Sequence, residues 1–143
     1  MISFFPQSIY CISSKEIYRL DLQFISRGWI PLLSDIPHSR RFASATAMNG
    51  KIYVVGGKNE DEKYLHEMDI YDIQTNTWST NKQKIPGGTE RPLVAHSENN
   101  ALYLLGGSHD TKVYEFEIQL NTFRRLGQQM NYGMTAVTKI GQE

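Results

Sequence analysis

Five side chains are the first candidates for metal binding or proton transfer: His38, His66, His96, His109 and Cys11. Metal ligands that share a loop or helix stand roughly two to five residues apart. No pair among these five has such spacing, so the histidines read as polar residues of loops and strands. Cys11 falls in a predicted buried strand. A lone cysteine also forbids an intrachain disulfide, which suits a reducing compartment such as the cytoplasm. No Gly-x-Ser-x-Gly elbow occurs. Gly56-Gly57 and Gly106-Gly107 each follow an apolar run but open a polar loop. A phosphate-binding turn would open a helix instead. The residues therefore predict no catalytic group, no metal and no cofactor.

The elements around these residues repeat. Gly50-Lys51-Ile52-Tyr53-Val54-Val55-Gly56-Gly57 is a strand between an Asn-Gly turn and a glycine pair. About fifty residues later Ala101-Leu102-Tyr103-Leu104-Leu105-Gly106-Gly107 copies it, and such a period marks a repeat architecture. A weaker copy, Ile9-Tyr10-Cys11-Ile12-Ser13-Ser14, comes first, with serines in place of the glycines. Each copy is followed by an alternating strand: 16–22, 68–73 and 113–118. A turn and an aromatic-led strand come next. Gln74-Thr75-Asn76-Thr77-Trp78 matches Gln119-Leu120-Asn121-Thr122-Phe123, and the first unit has Trp29 there. Small residues dominate the strands at 41–48, 91–97 and 133–139, which suits a crowded axis. The run Lys58 to Lys63 reads as a solvated loop. Each unit is thus four short antiparallel strands, and no amphipathic helix is expected.

Composition sets wider bounds. Fifteen basic and fifteen acidic residues cancel, and 11% of the chain is aromatic. A neutral chain argues against a broad nucleic-acid or anionic-membrane surface. The first residues lack a basic region followed by a long apolar run, so neither a signal peptide nor a membrane span is expected.

A glycine pair, a later tyrosine and then a tryptophan on this period resemble the kelch repeat. The second unit carries Gly56-Gly57, Tyr71-Asp72, Asn76-Thr77-Trp78 and Ile85-Pro86. The third carries Gly106-Gly107, Phe116 and Phe123. The first keeps Trp29 but lacks the glycines. The resemblance implies an all-β, kelch-type β-propeller with blades at about 8–37, 40–86 and 90–130, and an extra leading strand at 133–139. It implies that Gly56, Gly57, Gly106, Gly107, Tyr53, Tyr71, Trp78, Phe116, Phe123 and Trp29 are structural, with the aromatics packed between blades. Closed propellers have about four to eight blades, so three are too few. The chain then reads as a piece of a larger, even non-functional, propeller, or as one of two copies that combine to complete one.

The same resemblance implies binding of another protein or peptide through blade loops. The loop positions after the glycines are Lys58, Glu60, Ser108 and Asp110; those after the lead-in are Arg41, Phe42, Arg91 and Tyr132. Arg40 holds the lead-in arginine position itself. An arginine in a fixed loop presents a planar donor fork that suits a carboxylate, which favours an acidic partner segment. The competing reading for these arginines is an inter-loop salt bridge. Many relatives present substrates to a ubiquitin ligase, a role that needs a separate domain for which these repeats leave no room. Some related propellers are enzymes, of oxidase or sugar-processing type, and that is the alternative function.

Overall fold

The computed structural model describes residues 7–87, 92–96, 100–107 and 111–129. Its eleven strands form three antiparallel sheets. The first sheet holds β1 (Ser8–Ile12), β2 (Ile17–Asp21) and β3 (Ile30–Leu32), with a 3-10 helix, Leu22–Arg27, between the last two. The second runs β4 (Ser44–Met48), β5 (Lys51–Val55), β6 (Met68–Asp72) and β7 (Thr77–Thr80) in sequence order. The third does the same with β8 (Leu93–His96), β9 (Ala101–Leu105), β10 (Lys112–Glu117) and β11 (Thr122–Gln129). Each sheet is a meander of the kind a propeller blade is built from. The segment 133–139 lies outside the described residues.

Tight turns set the registers. Asn49 and Gly50 have φ of 52° and 72°, and Asn100 has φ of 58°. These left-handed angles suit a two-residue hairpin, where asparagine and glycine are tolerated best. The turns are also laterally joined, because Asn49 Nδ2 donates to Asn100 Oδ1 at 2.5 Å. Near the axis, Ser44 Oγ donates to the Pro92 carbonyl, linking the entries of two inner strands.

Strand β5 is apolar from Ile52 to Val55 because both its faces are covered there. Ile52 and Val54 point back to the first blade and cluster with Ile17, Ile36 and Tyr71. Tyr53 and Val55 point forward and cluster with Met68, Leu102, Leu104 and Phe116. Tyr71 is fully buried, and its ring centroid lies 5.1 Å from that of Trp78. Phe116 and Phe123 repeat the pair at 4.6 Å on the next blade. Tyr71 clusters with Ile17 and Ile36 of the first unit, and Phe116 with Tyr53 and Met68 of the second.

The forward faces of the second and third blades differ. On the second blade Tyr53, Ile70 and Ser79 stand side by side. The matching row on the third blade is Tyr103, Glu115 and Arg124, an ion pair in place of an apolar contact. Trp29 departs from expectation: it is 47% exposed. Arg19 pairs with Ile30, so one further step sets Trp29 beside Leu20, at the Tyr71–Trp78 position. That position faces away from the second blade, where no described blade lies to cover it. Cys11 also departs from expectation. It lies in β1 but is exposed, on the same uncovered face.

A candidate partner-binding cleft between the first two blades

The lead-in to β4 and the loop after Gly57 are locked together. Arg41 N–H donates to the Lys58 carbonyl and Lys58 N–H to that of Arg41, both at 2.8 Å. This antiparallel bridge leaves no room beside Gly57. A Cβ there would sit 2.5 Å from the Arg41 carbonyl oxygen, and φ is +89°. Gly56 has φ of 66°, so the glycine pair is a backbone requirement at both positions. In the first blade no described strand crowds the matching turn, and Ser13-Ser14 stands there. Ser13 Oγ accepts from Glu16 N–H at 3.0 Å, which closes the turn.

The loop beyond Lys58 is compact. Asn59 Oδ1 accepts from the N–H groups of Asp61 and Lys63, each at 3.0 Å. Asn59 N–H donates to the Lys63 carbonyl at 3.0 Å, and Glu62 takes φ of 59° at the tip. The solvated run of the sequence is thus an ordered turn. Its carboxylate Glu62 pairs through Oε1 with Arg41 and through Oε2 with Lys58 at 3.8 Å. Lys58 Nζ also lies 5.0 Å from the Tyr64 ring centroid.

Two adjoining hollows result. The larger, about 370 Å³, lies between Ile12–Ser14 and Arg40–Ala45, with Val54 among its lining residues. The smaller, about 160 Å³, has polar and charged residues around it: Ser14, Ser39, Arg41 and Lys58–Glu60. Ser14, Arg40 and Arg41 border both. Phe42 stands at the rim, 45% exposed, with φ of 58°. A left-handed aromatic residue is uncommon, and such strain clusters at binding sites.

Of the loop residues expected from sequence, the structure brings Arg41, Phe42, Lys58 and Glu60 around this cleft. Glu60 pairs with Lys15 at 3.1 Å across the blade boundary. Arg91, Ser108, Asp110 and Tyr132 lie outside the described residues. Arg40 is corrected from loop ligand to buried strut. Its side chain is 1% exposed and pairs with Asp69, which is fully buried. Three of its other donors reach the carbonyls of Gly56 at 3.0 Å, Glu67 at 3.1 Å and His38 at 3.2 Å. Burial pulls this guanidinium below its ordinary value, and Asp69 opposes the shift. With its donors spent internally, Arg40 has no fork to offer a partner.

Sequence reasoning missed Asp69 and Glu62. Asp69 also accepts from Thr80 Oγ1 at 2.7 Å and contacts His38 Nδ1 at 3.0 Å. The alternation of 68–73 put Asp69 on a polar face and so gave no signal of its burial. Among the described residues no three histidine, cysteine or carboxylate side chains gather as a metal site. No described helix is long and apolar enough to cross a membrane.

Three meander sheets, with glycine stops and aromatic pairs in the second and third, define a kelch-type β-propeller, incomplete in its blade count. The model of the Kelch motif matches residues 39–80, from the lead-in through β7. The chain belongs to the kelch-repeat family. It is 32% identical over 101 residues to an N-acetylneuraminate epimerase of Haemophilus influenzae, covering 66% of this chain and 26% of that protein. It is 30% identical over 99 residues to an F-box/kelch-repeat protein of Arabidopsis thaliana, covering 67% and 24%. The solved structure titled "Structure of YjhT" superposes with a TM-score of 0.66 at 18% identity, covering 78% of this chain and 43% of that one. This last likeness concerns the fold. The chain spans about a quarter of the length of these curated relatives.

Proposed function

We propose that this chain is a protein-interaction module that binds a segment of a partner protein in the cleft between its first two blades. The observation that supports this most is the pair of adjoining hollows, one including Ile12, Phe42 and Val54 and the other ringed by polar and charged residues, sharing Arg41. An exposed aromatic and an arginine at one rim are the residue types enriched among interface hot spots. An acidic partner segment suits the Arg41 and Lys58 side chains. Substrate recognition within a ubiquitin ligase system is the finer reading, supported by the likeness to the F-box/kelch-repeat protein. A lone thiol fits a cytoplasmic setting.

The test is affinity capture with the whole chain, run beside Arg41→Gln and Phe42→Gly. The glycine variant keeps the left-handed turn while removing the ring. A partner held by wild type and lost by both variants, at unchanged melting temperature, supports the module. A partner held equally by all three sinks it.

A second reading is an enzyme of epimerase type, favoured by the 32% identity to the Haemophilus protein. It predicts epimerisation of N-acetylneuraminate, read by proton NMR. Self-association is the companion proposal for the uncovered face of the first blade, where Ile9 and Trp29 are each 47% exposed. A clean monomer in light scattering would remove it.

A further inference from the structure

Arg41 and Lys58 project from paired positions of one antiparallel bridge. Side chains at such positions leave the backbone on the same side, a few ångströms apart. The 2.8 Å backbone bonds in both directions fix this spacing without help from the side chains. Two cations are thereby held together at the mouth of the cleft, and such an arrangement repels itself unless an anion lies between. Among the described residues Glu62 lies between them, with one oxygen on each cation. Its side chain is 59% exposed, and that of Arg41 is 52% exposed. The pair is therefore open to exchange with an external carboxylate, since exposed ion pairs hold weakly.

Resting on the binding role assigned above to this cleft, we propose that Glu62 is a resident stand-in for the ligand. It occupies the receptor that Arg41 and Lys58 form for a carboxylate of the bound segment, and an acidic ligand must displace it. The larger hollow, walled by Ile12, Phe42 and Val54, adjoins that receptor through Arg41. A matching ligand is an extended peptide with an apolar side chain beside an acidic one. The loop is built to let the stand-in move. Asn59 organises the turn through the N–H groups of Asp61 and Lys63, not through Glu62's carboxylate. The Glu62 side chain can leave without unmaking the turn. Glu62 thus sets a threshold that a singly charged or weakly acidic segment does not pass.

The test uses the whole chain and a labelled synthetic peptide carrying one leucine beside two glutamates. Binding is read by fluorescence anisotropy for wild type, Glu62→Gln, Arg41→Gln and the double variant. Glu62→Gln should bind roughly two- to five-fold more tightly than wild type, the worth of one exposed ion pair. The gain should vanish in the double variant, and in a control peptide with glutamines for glutamates. Unchanged melting temperatures exclude loss of fold as the cause. Equal affinity of wild type and Glu62→Gln, binding that survives Arg41→Gln, or no binding by Glu62→Gln overturns the inference. In any of those cases an Arg41-dependent partner in the capture experiment leaves the binding role itself standing.

Discussion

Arg40 and Asp69 form an ion pair with side chains 1% and 0% exposed, tying the lead-in of the second blade to its third strand. The pair is closed on every side. Thr80 and His38 fill the remaining carboxylate positions, and three backbone carbonyls take three of the other guanidinium donors. Removing one partner strands the other charge in the interior, which typically costs about 3–5 kcal/mol. Arg40→Met should therefore lower chemical-denaturation stability by roughly that amount. Asp69→Asn keeps the shape and should cost less. A loss under about 1 kcal/mol for Arg40→Met would return the residue to the loop role expected from sequence.

Gly57→Ala and Gly50→Ala separate crowding from backbone strain. Both glycines have positive φ, +89° and +72°, but a Cβ on Gly50 meets nothing within 4 Å. Gly50→Ala should cost about 1–2 kcal/mol, the strain of a left-handed residue. Gly57→Ala adds a 2.5 Å contact with the Arg41 carbonyl and should cost more. It should also push Arg41 away from Lys58 and weaken ligand binding. Equal melting temperatures for the two variants would show that the bridge can yield.

The repeat was legible because backbone constraints leave marks on residue type. Glycine pairs, turn asparagines and a strand with both faces buried all restrict composition, so three blades could be drawn from the sequence. Blade partners were not legible. Trp29 has the residue type and register of Trp78, yet one is exposed and the other packs on Tyr71. The difference lies in whether a neighbouring blade covers that face, which no local pattern encodes. The cleft was half legible. Loop position predicted Arg41, Phe42, Lys58 and Glu60, but adjacency alone could not separate Arg40 from Arg41. Their roles diverge because Arg41 enters the bridge with Lys58, turning its side chain to the rim, while Arg40 points at Asp69. Glu62 belongs to the site through the turn geometry of Asn59, a relation invisible in the polar run Lys58 to Lys63.

Acid should weaken the fold in a definable window. Asp72 is pushed down from 3.8 to about 2, first by the hydrogen bond from Lys51 and then by Thr75 N–H. Arg124 lowers Glu115, and Lys84 lowers Glu67, each from 4.5. For a carboxylate lowered on folding, the unfolded chain binds the proton more readily. The stabilisation is full above the unfolded value and is lost as pH falls through the folded one. Melting temperature should hold steady down to about pH 5, then fall between about pH 4.5 and 2. Lys51→Met removes the largest cause of the Asp72 shift, so its curve should be flatter between pH 4 and 2 than that of wild type. Parallel curves would assign the acid transition to the other carboxylates.

The two tryptophans supply the sharpest contrast. Trp78 packs against Tyr71 with ring centroids 5.1 Å apart, and its Nε1 donates to the Ser34 carbonyl at 3.0 Å. The indole therefore joins the second blade to the strand exit of the first. Trp78→Ala removes this contact and leaves a void beside a fully buried tyrosine, at a cost of about 3–5 kcal/mol for a well-packed tryptophan. Trp78→Phe keeps much of the packing but loses the hydrogen bond, and should recover part of that loss. Trp29 is 47% exposed on the uncovered face, so Trp29→Ala should change the stability of an isolated chain by less than about 1 kcal/mol. If the chain self-associates through that face, the same variant should instead lower the association constant while the monomer's melting temperature stays put. Sedimentation velocity on Trp29→Ala and wild type separates the two outcomes. A large loss of monomer stability on Trp29→Ala would mean that another part of this chain covers the first blade.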